Sequence, residues 1–399
     1  MSLTNRSIKL KDIEFQRRKV SVLAFSHFTH DLYTAFFAVL LPIIKERFAL
    51  NYFMSGFLVF LMRSPSVIAP FAGALADRVS LRIFIAVTPA VTAITMSLLP
   101  ISDSFVFVCI LLFAAGASSA IYHIPTPVII KQLSGNRIGK GMSYFMVGGE
   151  TARFMGPLLV IQALALLGTA NFHYVMIFGL IVSFILFYVL KDYPTGVVSR
   201  KNNNNKITAS LKATLNKHRK MYLLILLIVI CKVFVSIGFT AFLPTYLQST
   251  GLSLENAGLG LILLEVAAAA GVFFTGRMSD HTGRRRILAL LSLISTVMII
   301  VFVYTNSFFM YPVLMLIGIL AFTSGPILMA VLFDNEKKYP SSANSLIMAF
   351  NFVSAAIVSL VFGQLGDVLG MKTTYLISAG FSLLSVLFIM MLPKKNAGE

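Results

Sequence analysis

The sequence predicts an all-α membrane protein: about twelve transmembrane helices in two pseudo-symmetric six-helix bundles. Three observations carry this prediction. Of 399 residues, 57% are hydrophobic and only 12% charged, and the mean hydropathy is +0.86. Soluble domains carry about 25% charged residues, and apolar runs of about 18 or more residues read as spans. The basic residues are also sorted to one side. Of 33 Lys and Arg, only Lys45, Arg47 and Lys372 fall in loops at the opposite end, and only Arg63, Arg153 and Lys232 fall inside spans. That asymmetry is the positive-inside pattern. It places both termini in the cytoplasm and requires an even number of spans. Finally, the halves repeat at an offset near 202 residues: Leu41-Pro42 recurs as Leu243-Pro244, Asp77 as Asp280, and Arg63 aligns with Glu265.

The elements follow in chain order. Residues 1–19 form a polar, basic cytoplasmic arm, and residues 20–190 the first bundle, with spans near 20–44, 55–76, 82–100, 103–132, 138–167 and 172–190. Outer loops are short, as at Gly168 to Asn171, so sequential helices are antiparallel neighbours. Only helices suit these spans, because open strands would leave peptide groups unpaired in lipid. Residues 191–220, with RKNNNNK at Arg200 to Lys206, are too polar to span and too few for a core. They read as a cytoplasmic linker with a surface-lying helix in its second part. The second bundle, residues 221–393, has spans near 221–249, 255–279, 286–304, 307–334, 341–365 and 373–392. Residues 394–399 are a cytoplasmic tail.

Composition narrows the function. A net charge of +18 would suggest nucleic acid in a soluble protein; here it follows from topology, with anionic lipid headgroups as the natural partner. Cys109 and Cys231 fall in apolar spans of opposite halves without metal-ligand company, so neither a disulfide nor a metal site is expected. No removed leader is expected. No G-x-x-x-x-G-K-[ST] loop and no G-x-S-x-G elbow occurs, which disfavours an ATP-driven pump and a covalent enzyme.

Gly276 to Leu288, GRMSDHTGRRRIL, joins the eighth and ninth spans. Gly276, Asp280, Gly283, Arg284 and Arg285 resemble the signature loop of the major facilitator superfamily, G-x-L-x-D-R-x-G-R-R. Met278 and His281 depart from it. A degraded copy sits at Gly73, Leu75, Asp77 and Arg78, where Ser80 and Leu81 replace Gly-Arg. A carboxylate does nothing for positive-inside orientation. Asp77 and Asp280 therefore read as a conformational latch, holding the following arginines and facing a helix N-terminus of the other half. The resemblance covers the whole chain. It implies a monomeric transporter of the cytoplasmic membrane that exposes a central cavity alternately to each face.

Charges inside spans cost about 2.5–3.5 kcal/mol each on insertion scales, so each needs a partner or a task. The set is Asp31, Arg63, Glu150, Arg153, Lys232 and Glu265, with His27, His30 and His123. His27 and Asp31 are four apart on one helix face and near mid-depth. A carboxylate beside an imidazole can take up and release protons near neutral pH. The pair is the first candidate for proton coupling; Glu150 is the second. The bland alternative is a structural contact of Asp31 with Arg63 or Lys232. In the implied architecture the first and seventh spans face each other, so Lys232 either pairs with Asp31 or holds a substrate anion. Glu150 and Arg153 are three apart. If the fifth and eighth spans meet, Arg153 bridges to Glu265 in one state only, or forms a static buried pair. Pro125 and Pro127 break the fourth span beside Tyr122 and His123, both candidate substrate contacts with Arg63, Arg153, Lys232 and Glu265. Gly148, Gly149, Gly156 and Pro157 permit close helix approach.

Within the superfamily, His27 to Leu50 (HFTHDLYTAFFAVLLPIIKERFAL) and Ile121 to Leu159 are similar to fosmidomycin-resistance-type bacterial exporters. Glu150 and Arg153 depart from the small or neutral residues of that family. The resemblance implies proton-driven export of small polar or amphipathic compounds. The expected function is proton-coupled secondary transport of a small anionic or amphipathic organic compound, with efflux by antiport leading and uptake of a metabolite or siderophore-type chelate second. The proton gradient is the energy source, no cofactor is needed and no nucleic acid is bound. A non-transporting receptor on the same scaffold is the rival of another class; the termini and linker are too short for its signalling domain.

Overall fold

Peptide groups in lipid find no water, so each crossing must close its own hydrogen-bond ladder. The computed structural model describes residues 15–68, 81–123, 126–191, 215, 218–305, 307–335 and 340–393, and no strand occurs among them. Its helices in chain order are α1 (Arg17–Thr34), α2 (Phe36–Arg47), α3 (Tyr52–Arg63), α4 (Leu81–Leu98), α5 (Phe105–His123), α6 (Thr126–Leu133), α7 (Ile138–Leu167) and α8 (Met176–Val189). After residues 192–214, which lie outside the described residues, come α9 (Arg219–Ile237), α10 (Leu243–Ser249), α11 (Leu254–Thr282), α12 (Arg284–Tyr304), α13 (Met310–Ala321), α14 (Ser324–Asn335), α15 (Pro340–Leu369) and α16 (Met371–Met391). Eleven segments among the described residues are long and apolar enough to cross a membrane. The second expected span is α3, continued by a 3-10 turn over Ser64–Ile68.

Local chemistry accounts for the starts and breaks. Asn51 caps α3 by accepting from the Met54 amide, and Ser253 caps α11 by accepting from the Asn256 amide. The seventh span loosens into a π segment at Gly238–Phe242 before Pro244. Proline lacks an N–H and its ring presses on the carbonyl four residues back, here that of Thr240 inside the segment. The Gly238 carbonyl is instead used by the Tyr375 hydroxyl at 2.7 Å. The break expected in the fourth span at Pro125 lies outside the described residues.

In the first half, α1 packs along α7, α4 against α5 and α8, and α3 against α5. In the second, α11 packs along α13, α12 along α16, and α9 against α15 and α16. Apolar side chains such as Leu166, Phe184, Phe274 and Leu387 point outward, where lipid tails are as apolar as they are. The halves meet along α3 with α15, α7 with α11, and α2 with α10. These contacts run from mid-depth to the end carrying loops 48–51, 102–104, 168–171 and 250–253, called here the loop end. Glycine permits that closure: a Cβ on Gly363 would lie 2.3 Å from the Tyr52 carbonyl, and one on Gly56 2.2 Å from that of Ser359. Asp367 of α15 then caps α3 across the interface, its two oxygens accepting from the Tyr52 and Phe53 amides at 2.8 and 2.7 Å.

Candidate functional site

Helical spacing puts His27 and Asp31 on one face of α1, and Nε2 of His27 lies 3.1 Å from Oδ2 of Asp31. The end of α5 brings in a third group: His123 Nε2 is 3.1 Å from Oδ1 of Asp31. His27 is oriented from α7. Its ring stacks on Phe145 with centroids 3.8 Å apart, and its Nδ1 is 2.7 Å from the Phe145 carbonyl oxygen. A carbonyl can only accept, so Nδ1 carries the proton and donates it. Nε2 faces Asp31 with a lone pair in the neutral ring and with an N–H in the protonated one. Oδ1 of Asp31 is buried and receives no well-directed hydrogen bond among the described residues. The three side chains grade from closed to open: His27 is buried, Asp31 is 19% exposed and His123 33%.

Side chains packed behind this cluster hold it in place. His30 stacks on Tyr122 and its Nδ1 contacts the Thr92 hydroxyl at 3.2 Å, and Thr92 in turn donates to Ser118. Tyr122, expected to face the cavity, is instead fully buried, its hydroxyl 2.9 Å from that of Ser26. It braces the histidines; it does not line the space between the halves, because its position one residue before His123 turns it toward α1. Tyr33, which the sequence did not single out, donates to the Val175 carbonyl and accepts from the Gly179 amide, tying α1 to α8.

The second cluster joins the halves. Arg153 on α7 reaches Glu265 on α11 at 2.9 Å and Glu150 on its own helix at 3.4 Å. Glu265 is nearly buried while Arg153 and Glu150 are partly open. Arg63, at the end of α3, is exposed and lies within electrostatic reach of both Arg153 and Glu265. Lys232 joins neither cluster. It is buried in the second half and donates to the Ser292 hydroxyl on α12 at 2.6 Å. Of the two readings of Lys232, the pairing with Asp31 is absent here: Lys232 turns toward α12, and Asp31 meets the two histidines.

Of the signature loops, Gly73, Asp77 and Arg78 lie outside the described residues, as do the surroundings of Gly276 and the side chain of Asp280. Gly283 takes φ +95°, a left-handed conformation that favours glycine. Arg284 pairs with Asp334 on α14 at 2.9 Å, and Arg285 donates to the Leu392 carbonyl at 3.1 Å. Both contacts stay within the second half. A cavity of about 630 Å³ beside this turn is lined by Arg284, Arg285, Arg286 and Asp334, remote from the histidine cluster.

A sequence profile of the Major Facilitator Superfamily matches residues 23–338 and, in a second alignment, 258–399. The chain belongs to the Major Facilitator Superfamily. It is a multi-pass membrane transporter, not an enzyme. It is 22% identical over 377 residues to the fosmidomycin resistance protein of Escherichia coli (strain K12), covering 93% of this chain and 91% of that one. It is likewise 22% identical over 370 residues to the uncharacterized MFS-type transporter YfnC of Bacillus subtilis (strain 168), covering 92% and 90%. Among solved structures, a bacterial homolog of the human lysosomal transporter Spinster, inward-facing and unoccupied, superposes with TM-score 0.79 at 14% identity, over 95% of this chain and 97% of that one. Members of this superfamily take small-molecule substrates.

Proposed function

We propose that this chain is a proton-coupled secondary transporter that exports a small organic compound in exchange for protons by alternating access. One observation carries the reading. Arg153 is shared between Glu265 of the other half and Glu150 of its own. Protonation of Glu265 would remove its charge and leave Arg153 with Glu150 alone, loosening the tie between the halves; deprotonation would remake it. A carboxylate is thereby tied to the motion that transport needs. Arg63, exposed beside this cluster, supplies a cation for an anionic substrate group. The positive-inside rule puts the termini in the cytoplasm of an inner membrane, so the conformation described here is closed outward. The resistance named for the Escherichia coli relative supports export.

Asp31 and His27, the expected coupling pair, stand with His123 and are assigned to the cargo side of the mechanism. That cluster favours a second reading, proton-linked movement of a metal chelate. The test is transport in proteoliposomes with pH gradients of either sign, beginning with fosmidomycin as substrate. Glu265→Gln is expected to lose gradient-driven movement and retain substrate exchange. Wild-type pH dependence in that variant would overturn the coupling assignment.

A further inference from the structure

Resting on the transporter reading above, we infer that His27, Asp31 and His123 form a binding site for a divalent transition-metal ion, carried as the free ion or within a chelate.

The three side chains present donor atoms to one shared space. Potential donor atoms of the three residues all lie within 4.8 Å of one another. Each imidazole Nε2 is 3.1 Å from a different oxygen of Asp31. With metal–ligand distances of about 2.0–2.1 Å, neighbouring ligand atoms lie about 3.0 Å apart around an octahedral ion and about 3.3 Å around a tetrahedral one. Each nitrogen–oxygen spacing falls between these, while the one-atom-per-residue set spreads to at most 4.8 Å, so the side chains would draw in on a bound ion. The same contacts suit hydrogen bonds when a ring Nε2 carries a proton, and a metal ion when it does not. Nδ1 of His27 is committed as a donor to the Phe145 carbonyl, so in the neutral ring its Nε2 offers a lone pair, as does the carboxylate it faces. Oδ1 of Asp31 is buried without a well-directed donor although His123 is adjacent. With both rings neutral and their Nε2 unprotonated, lone pairs and carboxylate face one another, the form in which a metal ion fits between them.

The supporting shell also fits. Metal-bound histidines characteristically donate their other ring N–H to a carbonyl or carboxylate, which sets tautomer and ring orientation; the Phe145 carbonyl does this for His27. Two imidazoles and one carboxylate suit zinc, iron, cobalt, nickel or manganese better than magnesium or calcium, which prefer oxygen alone. Three protein ligands leave coordination positions open, unlike a closed structural site. The open side is that of His123 and Asp31, the more exposed members. Water or donor atoms of a chelating molecule would complete the shell there, and an ion could enter and leave without unfolding the bundle. Glu150 lies within electrostatic reach of His27 and offsets the added charge.

The test uses the purified full chain in detergent, titrated with Co²⁺ and followed by its visible absorption bands, with Mg²⁺ as the non-binding comparison. His27→Ala, His123→Ala and Asp31→Asn are each expected to weaken Co²⁺ binding about tenfold or more. His173→Ala, a histidine beside the loop at the far end of α7, is expected to leave it unchanged. Should a variant fail to fold, X-ray absorption on the wild-type protein with Zn²⁺ decides instead: two imidazoles with oxygen donors support the site, and a shell without imidazole overturns it. Uptake of radiolabelled zinc into proteoliposomes, as the free ion and as its citrate complex, separates the two cargo forms; movement of either supports the inference. No Co²⁺ binding, or binding insensitive to all three variants, overturns it. In that case pH-driven transport of an organic substrate that still depends on Glu265 would leave the coupling reading standing.

Discussion

Gly149→Ala probes the histidine cluster without replacing any of its three members. A Cβ at position 149 would lie 2.5 Å from Cε1 of His27, 2.9 Å from its Nε2 and 3.2 Å from Oδ2 of Asp31. Carbon atoms rest at about 3.5–4.0 Å, so the ring must retreat by about 1 Å. It has little room to do so. Its Nδ1–H is held by the Phe145 carbonyl at 2.7 Å, and its face lies on the Phe145 ring. Metal–ligand distances tolerate only about 0.2 Å, so a displacement of this size removes His27 as a ligand. Overpacking of this kind costs about 1–3 kcal/mol of stability. The expected outcome is loss of Co²⁺ binding of tenfold or more together with a lower melting temperature. Gly380→Ala, where the new Cβ meets nothing within 4 Å, serves as the control and keeps both properties. A Gly149→Ala protein with wild-type metal affinity and melting temperature would show that the contact between α1 and α7 does not position the site.

Two further outcomes are expected. Asp367→Asn replaces a carboxylate that caps α3 through two amides with a group that accepts through one oxygen and carries no charge; the loss of about 1 kcal/mol shifts the balance about fivefold toward opening at the loop end. Distances between spin labels on α3 and α15 would register that shift, and an unchanged distribution would contradict the capping role. Lys232→Met removes a buried ammonium whose described partner is Ser292, and that hydroxyl keeps its own bond to the Leu288 carbonyl. Since a buried charge without a counter-ion is costly, the variant is expected to melt higher and to transport normally; collapse of transport would return Lys232 to the substrate path.

Much of the site was legible because it is local. His27 and Asp31 share a face by helical period, Glu150 and Arg153 by the same rule, and the glycines at 148, 149 and 156 announce a close helix contact. A Cβ on Gly148 would indeed lie 2.3 Å from the Ala24 carbonyl, and one on Gly156 2.7 Å from that of Leu32. Other features carry no local signal. His123 reaches Asp31 through packing between spans far apart in the chain. Tyr122 beside it is turned into the bundle, and the sequence does not reveal which of two adjacent residues faces the gap. Asp367 reads as an ordinary charge near a loop until α3 is placed against it.

By itself the sequence determined the all-helical, multi-span membrane architecture, because this follows from transfer free energy summed over whole segments, and its loop motif pointed to the family. Only the tertiary structure decided which buried charges meet. It gave Asp31 two histidines in place of Lys232, and it let Arg153 reach Glu265 across the interface. Such pairings depend on helix rotation and depth to within a fraction of a turn, which hydropathy leaves open and side-chain packing between helices sets.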